Sequence, residues 1–140
     1  MDSNADSRVA LLSLHPEWAQ AILEGRKTVE FRRSAPAHDI SHVVIYATKP
    51  VGHVVGYFTV ASVTSGSPTS LWTRFGGQGA ISRRRFRTYF TSRSTGYAIE
   101  VGEVVRLKDP VALDDIGDIR PPQNFCYLPT STFNLSLAAA

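Results

Sequence analysis

Negative charge is the first thing this sequence lacks: between Asp39 and Glu100 there is not one aspartate or glutamate. Cysteine is nearly absent as well, with Cys126 standing alone. A single thiol cannot form an intramolecular disulfide, so the chain is no disulfide-stapled scaffold, and a reducing cytoplasm is the expected compartment. No apolar run approaches the ~20 residues that span a bilayer. The opening MDSNADSR is polar where a signal peptide has its apolar core, so a soluble protein without a membrane partner is expected. The sequence also has no G-x-S-x-G nucleophile elbow, no P-loop and no dinucleotide-binding glycine pattern. His15, His38, His42 and His53 have no second cysteine to complete a zinc set and read as surface or structural residues, so neither a metal nor a cofactor is expected.

Arginine fills the acid-free stretch. It holds Lys49, Arg74, Arg83, Arg84, Arg85, Arg87 and Arg93, a local charge of +7, while the rest of the chain, with eight basic and twelve acidic residues, carries −4 and leaves a total of +3. Segregation of this kind creates a positive potential suited to a polyanion such as nucleic acid. Twelve arginines against three lysines is also what genomic base composition alone would produce, so both readings stand at this point.

A length of 140 residues fits one domain able to bury a core without staples. Residues 1–7 and 131–140 carry little pattern and read as N- and C-terminal tails around a domain spanning 8–130. RVALLSL at 8–14 reads as a buried strand. A helix follows, with Pro16 in its first turn, Gly25 just past its end and an inward face at Trp18, Ala21 and Ile22. From Lys27 to Arg33 the pattern alternates, Val29 and Phe31 toward the core and Thr28, Glu30 and Arg32 away from it. HVVIYAT and GHVVGYFTVASVT form a hairpin around Lys49-Pro50-Val51-Gly52, and Gly56 allows a bend or close approach. Ser67 and Ser82 cap two short helices joined by GGQG, which reads as a flexible connector. YAIEVGEVVRL and Phe125–Leu128 supply the last strands. Five or six strands with three short helices predict an α+β domain built on a small, mostly antiparallel β-barrel.

LEGRKTVEFRR, at the junction of that first helix and the following strand, is the strongest candidate site. Residues two apart on a strand are separated by ~7 Å, near enough for Lys27, Glu30 and Arg32 to converge on one ligand. Arg32 would bind a phosphate or base edge bidentately, and Glu30 would accept from an exocyclic amine or hold the two cations. The alternative is a solvent-facing ion-pair ladder worth under about 1 kcal/mol. A second feature is Arg83, Arg84, Arg85 and Arg87 at the start of a helix, where cations oppose the dipole; nucleic-acid backbone contact and a solvated charged face both account for it.

The same residues resemble a known family. LLSLHPEWAQAILEGRKTVEFRR is similar to the signature of the ASCH domain, a branch of the PUA-like superfamily, whose G-x-K-x-x-E-x-R hallmark matches Gly25, Lys27, Glu30 and Arg32. The likeness continues through IYATKPVGHVVGYF, SGSPTSLW and RPPQNFCYL. It implies a PUA-like barrel with a polar cleft between barrel and helices, and binding of RNA or a modified nucleoside in a transcription-linked or translation-linked role. Lys27, Glu30 and Arg32 would then contact the ligand. Tyr46 or Trp72 would offer a stacking face, and Arg83, Arg84 and Arg87 would extend a path for the backbone. Some relatives are amidohydrolases acting on N4-acetylcytidine, with a lysine, a threonine three residues later and a mid-chain glutamate. Lys27 matches, but Glu30 stands where that threonine would be and the mid-chain acid is missing, leaving Thr28 as an improvised nucleophile beside Lys27. Others are associated with cleavage of single-stranded RNA, for which Lys27, Tyr46, Lys49 and Ser65 are the residues to test. Any enzyme here would be a metal-independent hydrolase; the resemblance leans toward a binding module.

Overall fold

The computed structural model describes residues 7–138. β1 (Arg8–Leu14) pairs with β3 (Ile40–Ala47) in the one parallel ladder among the described residues. RVALLSL reads as a continuous apolar run because both of its faces are covered: Val9 and Leu11 enter one core, Ala10, Leu12 and Leu14 another. Between these strands lie α1 (Pro16–Leu23) and β2 (Val29–Arg32). β3 turns through the expected hairpin into β4 (His53–Gly66), and Gly52 takes φ +65° in that turn. After α2 (Pro68–Phe75) and α3 (Arg83–Tyr89), the long β5 (Gly96–Val111) pairs antiparallel with both β4 and β2. β6 (Phe125–Leu128) lies antiparallel to β1.

The strand order is β2-β5-β4-β3-β1-β6, so the sheet is open, with β2 and β6 at its two edges. The closed barrel expected from the sequence is therefore not completed by hydrogen bonds among the described residues. The β4–β5 pair carries register shifts near Val54, Phe58 and Val60, and such irregularities increase local twist. Gly56 sits at a close approach: a β-carbon there would lie 2.5 Å from the Val105 carbonyl and 2.7 Å from the Leu23 side chain. The expectation of a close approach at this glycine holds.

α1 covers one face of the sheet with Ala19 and Ile22. α2 and α3 cover β2 and part of β5 through a third cluster of Phe31, Leu71, Phe75, Phe86 and Phe90. Both of these helices start as their sequences predict, with Ser67 Oγ accepting from the Ser70 amide and Ser82 Oγ from the Arg85 amide, each at 3.1 Å.

There are four α-helices among the described residues rather than three. The fourth, α4 (Thr130–Phe133), runs into a π-helical turn at Asn134–Ala138. The segment read as a C-terminal tail is thus helical as far as it is described, and it buries Phe133 and Leu137 against Val9, Leu11 and Tyr46. Phe133, Leu135 and Leu137 stand two apart, an alternation that does not signal a helix in sequence, and only Phe133 and Leu137 of the three are buried. The expected N-terminal tail lies outside the described residues except for Ser7.

Candidate nucleic-acid interface

α1 ends in a motif that aims the next side chain. Gly25 adopts φ +80°, its amide donates to the Ile22 carbonyl at 3.0 Å, and the Arg26 amide donates to the Ala21 carbonyl at 2.9 Å. This is a Schellman stop, which needs a residue without a β-carbon at the left-handed position. It reverses the chain so that Lys27 points inward, and that lysine is only 3% exposed, as is Glu30.

Inside, the three motif side chains form a chain of alternating charge. Lys27 Nζ donates to the Gly79 carbonyl at 2.5 Å and lies 3.4 Å from Glu30 Oε1. Glu30 Oε2 accepts from Arg32 Nη1 at 3.2 Å. Arg32 continues to Asn124 Oδ1 at 3.4 Å and lies over the Phe125 ring at 5.6 Å. Glu30 and Arg32 share the strand face opposite Val29 and Phe31, as alternation predicts. That face is covered by the Gly79 loop and by Asn124 and Phe125 at the far edge of the sheet, so the group is a buried network rather than a solvated ladder.

GGQG is no loose connector. Gly76–Gln78 is a 3-10 turn, and its continuation docks on the motif: the Thr28 amide donates to the Gln78 carbonyl at 2.9 Å, and Gly79 supplies the acceptor for Lys27. A β-carbon on Gly79 would run into the Phe31 ring. Thr28 itself is exposed, with Oγ1 3.4 Å from Gln78 Oε1. The cavity beside the network, lined by Trp18, Lys27, Glu30, Arg32, Ile81 and Tyr89, holds about 40 Å³. That is space for a few waters and too little for a nucleobase. Burial raises the Tyr89 phenol above its ordinary pKa, against the opposing pull of Arg32 and Arg33, so it stays neutral at physiological pH.

Around this closed centre the arginines lie close to one another. Arg83, Arg87 and Arg93 line a cavity of about 270 Å³ together with Trp72. Arg84 and Arg85 line another of about 290 Å³ beside Trp18 and Tyr89. Arg32, Arg33 and Arg93 line a third, polar one of about 230 Å³ with Gln123 and Asn124. Shared walls at Tyr89 and Arg93 make these neighbours, and no carboxylate lines any of the three. Arg85 is tied down by Glu17 at 3.1 Å and by the Trp18 ring at 4.8 Å. Arg83, Arg84, Arg87 and Arg93 form no ion pair among the described residues.

The remaining candidates lie elsewhere. Tyr46 is 9% exposed and packs in the core beneath α4. Lys49 is exposed on the β3–β4 turn, and Ser65 is exposed on β4 opposite Tyr97. Trp72 is half-buried. Asn124, Gly79 and Tyr89 complete the network and its surroundings and were not singled out by sequence; only the glycine run gave any signal, and it pointed to a linker. His38 and His42 are four apart, a spacing that gathers ligands on a helix, but His42 is on β3 with its ring 4.8 Å from that of Phe133. No group of three metal-donor side chains occurs among the described residues.

A buried Lys-Glu-Arg network set by a Schellman stop, at the edge of a six-stranded sheet, places this chain in a recognisable class: the ASCH domain model matches residues 12–107, and the chain belongs to that family. It is 37% identical over 130 residues to an ASCH domain-containing ribonuclease of Zymomonas mobilis, covering 88% of this chain and 86% of that protein. Two crystal structures of the Zymomonas mobilis ASCH protein superpose closely. One, of a serine-to-alanine variant, gives a TM-score of 0.86 at 31% identity over 96% of this chain and 97% of that one. The other gives 0.84 at 33% identity over 90% and 91%. No helix among the described residues is long and apolar enough to cross a membrane.

Proposed function

We propose that this protein binds single-stranded RNA on the arginine surface around α3 and β2, with the Lys27-Glu30-Arg32 network holding that surface in place. The observation that carries the reading is the set of adjoining cavities lined by Arg32, Arg33, Arg83, Arg84, Arg87 and Arg93 without a carboxylate. Of these, Arg32 is paired with Glu30, while Arg83, Arg84, Arg87 and Arg93 have no acidic partner among the described residues and are available to phosphates. A role in transcription or translation and a cytoplasmic setting are the expectations that accompany it. Titration with labelled single-stranded RNA at several salt concentrations tests the reading. Each of Arg83 and Arg87 replaced by alanine should lower the slope of log affinity against log salt by about 0.7; absence of binding at low salt overturns it.

A second reading, cleavage of that RNA, is favoured by the 37% identity to a protein named as a ribonuclease. Its acid–base groups would have to be side chains that substrate can reach. Lys49 and Ser65 satisfy that as they stand, and Tyr46 would need the turn at Gly52 to give way. Hydrolysis of an acylated nucleoside has less support, because Lys27 and Glu30 are spent on each other and on Gly79, beside a cavity smaller than a base.

A further inference from the structure

The cavity between α2 and α3 joins two features that the charge argument alone does not use. Trp72, Phe86 and Phe90 form its aromatic wall, and Arg83, Arg87 and Arg93 line it as well. The indole is held in a set orientation. A β-carbon on Gly76 would meet three adjacent ring atoms of Trp72 at 2.8 to 3.1 Å, so the indole is closely packed on Gly76. Phe86 packs at 5.0 Å between centroids, tilted by 53°. A wide aromatic surface, held by Gly76 and Phe86 and left half-exposed beside three cations that have no acidic partner among the described residues, matches one nucleotide: a base has a π-face to lay on the ring, and its phosphates have arginines within the same cavity. The volume of about 270 Å³ admits a base, in contrast to the cavity beside the motif. An acidic peptide would use the arginines but would leave the aromatic wall unmatched.

We infer that this α2–α3 cavity is a nucleotide subsite, in which one base of a single strand stacks on Trp72 and the flanking phosphates are held by Arg83, Arg87 and Arg93. Arg93 also lines the polar cavity with Arg32, Arg33 and Asn124, so it passes the strand from the subsite toward the edge of the motif. The inference rests on the RNA reading above and adds to it a base contact and a direction for the strand.

The test uses the full chain carrying Trp18→Phe, which leaves Trp72 as the sole tryptophan, titrated with a short single-stranded oligoadenylate and with an abasic oligomer of the same backbone. Affinity is followed by anisotropy of the labelled oligomer, and stacking by indole emission. The expected result is quenching of Trp72 by the oligoadenylate and none by the abasic strand, with affinity for the abasic strand weaker by about tenfold. Arg93→Gln should weaken both oligomers. The difference in quenching between the unmodified chain and its Trp72→Phe variant gives the same readout if Trp18→Phe disturbs the motif. Oligoadenylate that binds without changing Trp72 emission overturns the subsite and leaves RNA binding standing; no binding of either oligomer at low salt overturns both.

Discussion

Arg32 and Asn124 lie 92 positions apart in the chain, yet the arginine donates to the asparagine amide oxygen at 3.4 Å across the two unpaired edges of the sheet. Arg32 leaves β2 and Asn124 stands just before β6, so this contact bridges the gap that backbone hydrogen bonds leave open. Asn124→Ala should cost about 1 kcal/mol. Amide hydrogen exchange provides the finer check: protection should fall at Val29–Arg32 and Phe125–Leu128 while the β1–β3 ladder is unaffected. Uniform loss across the sheet would show that the edges are not bridged there.

Glu30 is the middle of the buried charge chain, accepting from Arg32 and lying 3.4 Å from the Lys27 ammonium. Removing its charge by Glu30→Gln leaves Lys27 inside with only a carbonyl, and breaking a buried pair in this way costs about 3 to 5 kcal/mol. Urea unfolding should show that loss, and Lys27→Met combined with Glu30→Gln should recover part of it. Additive losses in the double variant would mean the two groups are not coupled.

Gly79→Ala places a methyl against Phe31 and displaces the carbonyl that Lys27 needs. Overpacking of this kind costs about 1 to 3 kcal/mol. A shift of the unfolding midpoint comparable to that of an exposed control such as Gly77→Ala, where no neighbour lies within 4 Å, would contradict the docked geometry.

His42 is pushed below its ordinary pKa of 6.5 by burial. It lies against Phe133 and Tyr57, and its Nδ1 is 2.8 Å from Ser41 Oγ. The unfolded chain then binds the proton more readily than the folded one, so stability present above pH 6.5 is lost as the pH falls below that value. Unfolding curves recorded between neutral and mildly acidic pH should steepen this loss in the native chain relative to His42→Gln, and the ring contacts of α4 should weaken first. Equal pH dependence in both proteins would refute the assignment.

On the ribonuclease reading, Lys49→Ala should lower cleavage of single-stranded RNA by about 10² or more, the usual size of an acid–base contribution. Its unfolding midpoint should not move, because the side chain is exposed on a turn. Lys27→Ala should instead lose activity in step with stability. Undiminished cleavage by Lys49→Ala would move the chemistry to another residue.

Much of this was legible in the chain. Local signals act over a few residues: Pro16 and Gly25 bound α1, Ser67 and Ser82 cap α2 and α3, and the alternation of Val29, Glu30, Phe31 and Arg32 assigns the two faces of β2. The G-x-K-x-x-E-x-R pattern carried the family, and the missing acids between Asp39 and Glu100 carried the basic surface. What β2 faces was not legible. Alternation says that Glu30 and Arg32 share a side, but whether that side meets water or protein depends on what packs over it, here Asn124 at the far edge and Gly79 on the loop between α2 and α3. The C-terminal helix was hidden for the same reason. The sequence by itself determined most of the strands, the first three helices, the family and the sign of the charge; the tertiary structure decided that Lys27 and Glu30 are buried while Arg83, Arg84, Arg87 and Arg93 stay exposed, because burial is set by partners distant in sequence rather than by local pattern.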